Sequence, residues 1–330
     1  MAPAIRTVGL VKDYGKVRAL DGLDLEVESG QVFGFLGPNG AGKSTTLRLL
    51  LDLLRPTAGT VEVLGQSPRE GGPALRARIG YLPGELGLPS RKTAGEYLHY
   101  LARLRGGRGA ERIDDLAKRF GLPLDRPLRA LSKGNKQKVT IVQAFMHDPE
   151  LLVLDEPTSS LDPLLQMEFR RLVDEARERR ATVFLSSHVL AEVEEIAGSV
   201  AIVRAGRVVD IDDVRALRER AGQDVLLRFA SPVDAAEFAG LPGLSDVVVQ
   251  GTTMTCRLHG EPDALLRVAM THHVIRWQSQ DRDLEDLFMD FYRDEVPDAA
   301  APPLGAAAAD AGAAAVAPAA VAPANEEVVR

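Results

Sequence analysis

Nine consecutive residues, Gly37-Pro38-Asn39-Gly40-Ala41-Gly42-Lys43-Ser44-Thr45, combine three glycines with a cation and two hydroxyls. They fit G-x-x-x-x-G-K-[ST], the pattern of a phosphate-binding loop, and they follow an apolar run, Val32 to Leu36, that reads as a buried strand. With no Cβ at 37, 40 and 42, successive backbone N–H groups can point inward as a nest for phosphate oxygens. The next segment, Ser44 to Leu54, contains no Gly or Pro and is expected to be helical. Its N-terminus adds roughly half a positive charge aimed at the same anion. Lys43 then reaches the β- and γ-phosphates, and the Ser44 hydroxyl can ligate Mg²⁺.

Two other places have the residue types for chemistry. Leu151-Leu152-Val153-Leu154 is followed by Asp155-Glu156, and four aliphatics in a row suit a central parallel strand buried on both faces. Asp155 can hold Mg²⁺ through water and Glu156 can polarise an attacking water; as an isolated pair they would more ordinarily be a solvated turn. Thr182 to Leu185 reads as another buried strand and leads through Ser186-Ser187 to His188. A histidine there is ordinarily structural, but at the same sheet edge as the acids it can contact the γ-phosphate. Tyr14, in the turn Asp13-Tyr14-Gly15-Lys16, is either an ordinary turn tyrosine or a flat partner for an adenine ring.

These groups need elements to hold them. Thr7 to Val11, Leu23 to Val27, Gln31 to Leu36 and Thr60 to Leu64 read as strands. From about Ala74 the pattern turns helical and charged, through Ile79 to Glu85, Thr93 to Leu104 and Ala110 to Phe120, as a helical insertion. Ser132 is placed to cap a helix running to Phe145 or His147. Asp162 and Pro163 open another that extends to about Arg180. Strands at Val200 to Val203 and Arg207 to Ile211, joined by Ala205-Gly206, close a first domain near residue 220. Beyond Gln223 the expected order is strand 224–230, helix 233–240, strands 245–250 and 252–258, helix 262–272 and strand 273–279. That βαββαβ order matches a ferredoxin-like arrangement. Leu284, Leu287, Phe288 and Phe291 are spaced i, i+3, i+4, i+7, so 283–295 should be an amphipathic helix, packed on its own domain or on a partner. Past Pro297 the chain is mostly Ala and Pro and is expected to be disordered.

Composition bounds the function. In 330 residues, 40 Lys+Arg stand against 47 Asp+Glu, for a net charge of −7, so no global basic field draws the chain to nucleic acid or anionic lipid. The single Cys256 forms no internal disulfide, and no N-terminal apolar stretch resembles a signal peptide; both point to a reducing cytoplasm. No strongly apolar run is long enough to cross a bilayer, so membrane contact needs a separate partner.

Taken together and in this order, the motifs resemble the nucleotide-binding domain of ATP-binding cassette (ABC) proteins across about residues 4–220. Gly37 to Thr45 looks like the Walker A loop, Leu151 to Glu156 like Walker B with its catalytic glutamate, Ser160-Leu161-Asp162 like the D-loop, and His188 like the switch histidine. The resemblance implies an α/β P-loop NTPase cassette with an antiparallel β subdomain. It assigns residues 1–221 to the cassette, with the insertion at about 85–147, 222–296 to a small α+β domain, and 297–330 to the tail. It places Tyr14 on the adenine and ATP on Gly37 through Thr45 and Thr46, with Lys43, Glu156 and His188 as the catalytic groups.

Two departures stand out. The family signature Leu-Ser-Gly-Gly-Gln is here Leu131-Ser132-Lys133-Gly134-Asn135; Ser132, Gly134 and Asn135 are carried over as the groups facing the ATP of the partner subunit. Where the family has its Q-loop glutamine, this chain has Gly84 followed by Glu85, a carboxylate that can approach Mg²⁺ beside Ser44 and Asp155. Both variants, and the C-terminal unit, look like bacterial ABC-2 type exporters of the drug-resistance branch. That resemblance implies an ATPase that pairs with a second copy and drives a separate permease from the cytoplasmic face of the membrane. The rivals are an importer ATPase, a soluble ABC ATPase acting on ribosomes or DNA, and a P-loop kinase. The soluble ABC types usually carry two cassettes or a coiled-coil insertion, which this chain lacks, and a kinase would give Ser132, Asp162 and His188 no shared purpose.

Overall fold

The computed structural model describes residues 2–84, 87 and 91–282. A six-stranded sheet runs in the order β5-β6-β7-β3-β8-β9, built from β3 (Val32–Leu36), β5 (Ile79–Leu82), β6 (Leu151–Asp155), β7 (Thr182–Ser187), β8 (Ser199–Arg204) and β9 (Arg207–Asp213). The first five of these in spatial order are parallel, and β9 is an antiparallel edge. β3, β6 and β7 are buried at every position, as uninterrupted apolar runs covered on both faces must be. On one face, Phe33, Phe35 and Phe184 pack with α1 (Lys43–Leu50) and with a three-stranded antiparallel sheet of β1 (Ile5–Tyr14), β2 (Val17–Val27) and β4 (Ala58–Val63). On the other, the sheet is covered by α3 (Ala94–Leu104), α4 (Ile113–Arg119), α5 (Lys133–Phe145) and α6 (Pro163–Glu178).

Local sequence explains the ends of these helices. Thr93 and Glu96 form a reciprocal capping box at α3. Ser132 accepts from the Asn135 amide at α5, and Asp162 accepts from the Leu165 amide ahead of Pro163 at α6. Arg119 of α4 reaches Glu168 and Glu175 of α6, tying the helical layer together.

Several expectations are corrected. Residues 79–82 are not helical: they pair in parallel with β6 as an edge strand in which Ile79, Gly80 and Leu82 are buried, a long-range pairing that overrides the local pattern. The helix over 233–240 is a single 3₁₀ turn, Ala235–Glu237, since Asp234 caps it at once and Gly240, at φ 77°, ends it. α1 stops at Leu50, four residues short, where the chain turns through Asp52 at φ 56°. Tyr14 is not in a turn but is the last residue of β1, opposite Val17. Three helices have no counterpart in the sequence pattern, α2 (Pro68–Arg76), α7 (Leu190–Glu194) and α8 (Val214–Ala221), the last closing the first part of the chain.

After Gly222, β10 (Gln223–Phe229), β11 (Leu244–Gln250), β12 (Thr253–Leu258) and β13 (Val274–Asp281) form an antiparallel sheet in the order β11-β12-β10-β13. α9 (Asp263–Ala269) and the 3₁₀ turn cover one face around Phe229, Phe238 and Leu265. The helix expected at 283–295 and the Ala/Pro tail lie outside the described residues.

Candidate nucleotide site

Four adjacent strands deliver the candidate residues to one sheet edge. β3 runs into the glycine loop, β6 ends at Asp155 and Glu156, β7 leads to His188, and β5 leads to Gly84. The C-terminal edge of a parallel sheet is where ligands of α/β folds collect. A cleft of about 310 Å³ opens there, lined by Pro38, Asn39, Gly40, Gly42, Lys43, Ser44, Thr45, Glu156 and Ala19. Larger clefts of about 750 and 820 Å³ lie elsewhere, one beside α1, β4 and α2 and one between α8 and the C-terminal sheet, and neither includes any of these residues.

The loop's shape depends on Gly42. It is the N-cap of α1 at φ 104°, and a Cβ there would fall 2.6 Å from a Leu20 methyl and 2.7 Å from the Ala19 carbonyl oxygen. Lys43 is 6% exposed, and its ammonium donates to the Gly37 carbonyl at 2.6 Å and the Pro38 carbonyl at 3.3 Å. It also lies 3.5 Å from a Glu156 oxygen. The other Glu156 oxygen is 2.9 Å from Nδ1 of His188. Ala41 and Thr46 are buried behind the loop, with Thr46 Oγ1 donating to the Gly42 carbonyl.

Asp155 is buried, and Ser186 Oγ donates to its Oδ1 at 2.6 Å. Its Oδ2 faces Gly84, where a Cβ would come within 3.0 Å. Among the described residues no three His, Cys, Asp or Glu side chains gather as a metal cage. The Asp155 carboxylate and the Ser44 hydroxyl are a donor set suited to Mg²⁺ held chiefly by water and substrate phosphates, so the residues present fit that ion. Glu85 lies outside the described residues.

The structure does not bring every expected residue to this cleft. Tyr14 is exposed and is not among the lining residues; the Lys12 ammonium sits 5.3 Å from its ring centroid. Ser132, Gly134 and Asn135 sit at the start of α5, outside the lining, and Gly134 packs on the Ser160 carbonyl oxygen. Four supporting residues carry no local sequence motif. Ser186 orients Asp155; Gln137 of α5 donates to the Pro157 carbonyl at 2.8 Å; and Thr158 donates to Glu192 of α7, which also accepts from Ser187 at 3.4 Å. The adjacent hydroxyls Ser186-Ser187 at the end of an apolar run were the available signal.

Comparison with known proteins decides the family. A family model described as ABC transporter matches residues 20–159. The fluoroquinolones export ATP-binding protein of Mycobacterium tuberculosis is 35% identical over 295 residues, covering 87% of this chain and 92% of that protein. The chain belongs to the ABC transporter family. The bacitracin transport ATP-binding protein of Bacillus licheniformis is 38% identical over 213 residues, 64% of this chain and 70% of that protein. The daunorubicin/doxorubicin resistance ATP-binding protein of Streptomyces peucetius is 39% identical over 228 residues, 68% of this chain and 69% of that protein. Among solved structures, an ATP-binding subunit of an ABC transporter superposes with a TM-score of 0.62 at 30% identity, covering 66% of this chain and 92% of that one. The fold is thus the P-loop ABC cassette, and this member of the family is an ATPase.

Proposed function

We propose that this chain is the ATP-hydrolysing subunit of an ABC exporter and drives a separately encoded membrane permease. The observation that carries the proposal is the meeting of three separate stretches at one sheet edge: Lys43 and Glu156 line the same cleft 3.5 Å apart, and His188, outside the lining, lies 2.9 Å from the second Glu156 oxygen. In this reading, residues 1–221 are the cassette and 222–296 a ferredoxin-like accessory unit, a reading supported by the strand order β11-β12-β10-β13.

The backbone N–H groups of the loop and Lys43 hold the β- and γ-phosphates. Mg²⁺, bound by Ser44 and through water by Asp155, supplies charge neutralisation on those phosphates. Glu156 orients the attacking water and His188 holds the γ-phosphate, so positioning and charge stabilisation carry the rate. Tyr14 stacks on the adenine. Two copies close head to tail, and Ser132, Gly134 and Asn135 of one meet the nucleotide of the other. That these three stand outside their own chain's cleft supports this reading. Among the described residues no helix is long and apolar enough to cross a membrane, so the chain reaches the bilayer through the permease, on its cytoplasmic face. The names of the relatives above support export of a drug or antibiotic.

Tagged Glu156→Gln chain, expressed in its native host and recovered from detergent-solubilised membranes with ATP and Mg²⁺, tests the reading. Stoichiometric recovery of a polytopic membrane protein is expected. Recovery of ribosomes or DNA-repair factors in its place would overturn the exporter reading.

A further inference from the structure

α5 carries a buried amide that none of the roles above uses. Gln137 is 2% exposed and lies one turn beyond Ser132 and Gly134. Its Nε2 donates to the Pro157 carbonyl at 2.8 Å and, at 3.4 Å, to the Glu156 carbonyl. Those carbonyls belong to the turn that leaves β6, and the turn is unusual at both ends: Glu156 has φ 49° and Ser160 has φ 80°. Non-glycine residues enter that region at a cost and stay only where the surroundings hold them.

A second contact joins the same two segments. A Cβ on Gly134 would lie 3.0 Å from the Ser160 carbonyl oxygen, so the first turn of α5 bears on the far end of the turn that Gln137 fastens at its near end. Separating them would leave buried donors and acceptors unpaired, so helix and turn move as one piece.

We propose that Gln137 is a positioning residue, which carries a displacement of the Ser132–Gly134 end of α5 into the backbone of Glu156. The proposal rests on the two-copy reading above, in which that end of α5 seats on the nucleotide of the other copy. Seating moves α5 as a rod, and the amide of Gln137 moves the carbonyls of Glu156 and Pro157 with it. The carboxylate of one chain therefore reaches its working position when the other chain's nucleotide is in place.

The test uses the full chain. Gln137→Met keeps the side-chain length and removes the donors. Gln137→Asn, which withdraws the amide by one methylene, serves with the same expectations if the first variant does not fold. ATP hydrolysis is measured against ATP concentration, with thermal melting alongside and with dimer formation followed in a Glu156→Gln background. The expected result is a kcat lower by about 10- to 100-fold with KM within about threefold, a melting temperature lowered by only a few degrees through the unpaired carbonyls, and an ATP-dependent dimer in the double variant. A folded Gln137→Met protein with kcat within about twofold of the parent overturns the proposal, and so does parallel loss of kcat, nucleotide binding and thermal stability. If Glu156→Gln alone fails to pair with ATP, the two-copy reading falls and takes this proposal with it. If it pairs while Gln137→Met keeps its kcat, the proposal alone falls.

Discussion

Nδ1 of His188 lies 2.9 Å from one carboxylate oxygen of Glu156, bridging the ends of β7 and β6. The other oxygen is 3.5 Å from Nζ of Lys43. The glutamate is thus held by the two groups proposed to grip the γ-phosphate. His188→Ala is expected to lower kcat by about 100-fold or more while leaving ATP affinity within about threefold. Steady-state hydrolysis paired with equilibrium nucleotide binding checks this, and unchanged kcat would remove His188 from the reaction.

Gly84 faces Oδ2 of Asp155, and a Cβ added there would lie 3.0 Å from that oxygen. Gly84→Ala should push that carboxylate against its hydrogen bond from Ser186 and weaken its hold on hydrated Mg²⁺. The expected sign is a several-fold higher Mg²⁺ concentration for half-maximal hydrolysis, with kcat recovering at saturating Mg²⁺. A Mg²⁺ titration identical to that of the parent would contradict the placement.

His147, just beyond α5, supplies a pH dependence unrelated to catalysis. It is buried, its Nε2 lies 3.2 Å from the Ile79 carbonyl oxygen, and its Nδ1 has no hydrogen-bond partner among the described residues. Burial first, then the nearby charge of Arg105, lowers its pKa to about 4 from the ordinary 6.5. The unfolded chain thus binds a proton between those values that the folded chain refuses. Stability from this group is complete above about pH 6.5 and is lost as pH falls towards 4. His147→Gln keeps a donor for Ile79 and should flatten the stability difference between pH 7 and 5, relative to the parent, by about 1–3 kcal/mol. Denaturant melts at the two pH values measure it; equal slopes in parent and variant would refute it.

Arg119 joins α4 to α6 through Glu168 at 2.6 Å and Glu175 at 2.7 Å, and these carboxylates hold its guanidinium protonated while it depresses the Glu175 pKa. Arg119→Met should leave two partly buried carboxylates facing each other and cost about 1–3 kcal/mol in denaturant unfolding, with ATP affinity unaltered. A loss under about 0.5 kcal/mol would show that the pair adds little.

The phosphate loop, the Walker-type acids and His188 were legible because each is a short contiguous pattern next to an apolar run, and the sheet edge then assembles them. The four strands past Gln223 were legible from the alternation of strand and helix patterns, while their order in the sheet, β11-β12-β10-β13, is set by long-range pairing. β5 was not legible: Ile79-Gly80-Tyr81-Leu82 is four residues between charged segments, and only pairing with β6, far along the chain, makes it a strand. The supporting side chains share that cause. Gln137 meets Glu156 across 19 positions, Ser186 meets Asp155 across 31 and Thr158 meets Glu192 across 34, and no local pattern encodes such contacts. The short turn at 235–237 shows the opposite failure, in which a helical pattern was cut by Gly240 and Pro242.

In the proposed cycle two copies close around ATP and Glu156 drives hydrolysis. Sedimentation of the Glu156→Gln chain with and without ATP tests this most directly. The prediction is a species of twice the 35.6 kDa chain mass with ATP, and a single-chain species without it. A Glu156→Gln protein that stays a single chain with ATP, and hydrolyses it at the parent's rate, would contradict the account.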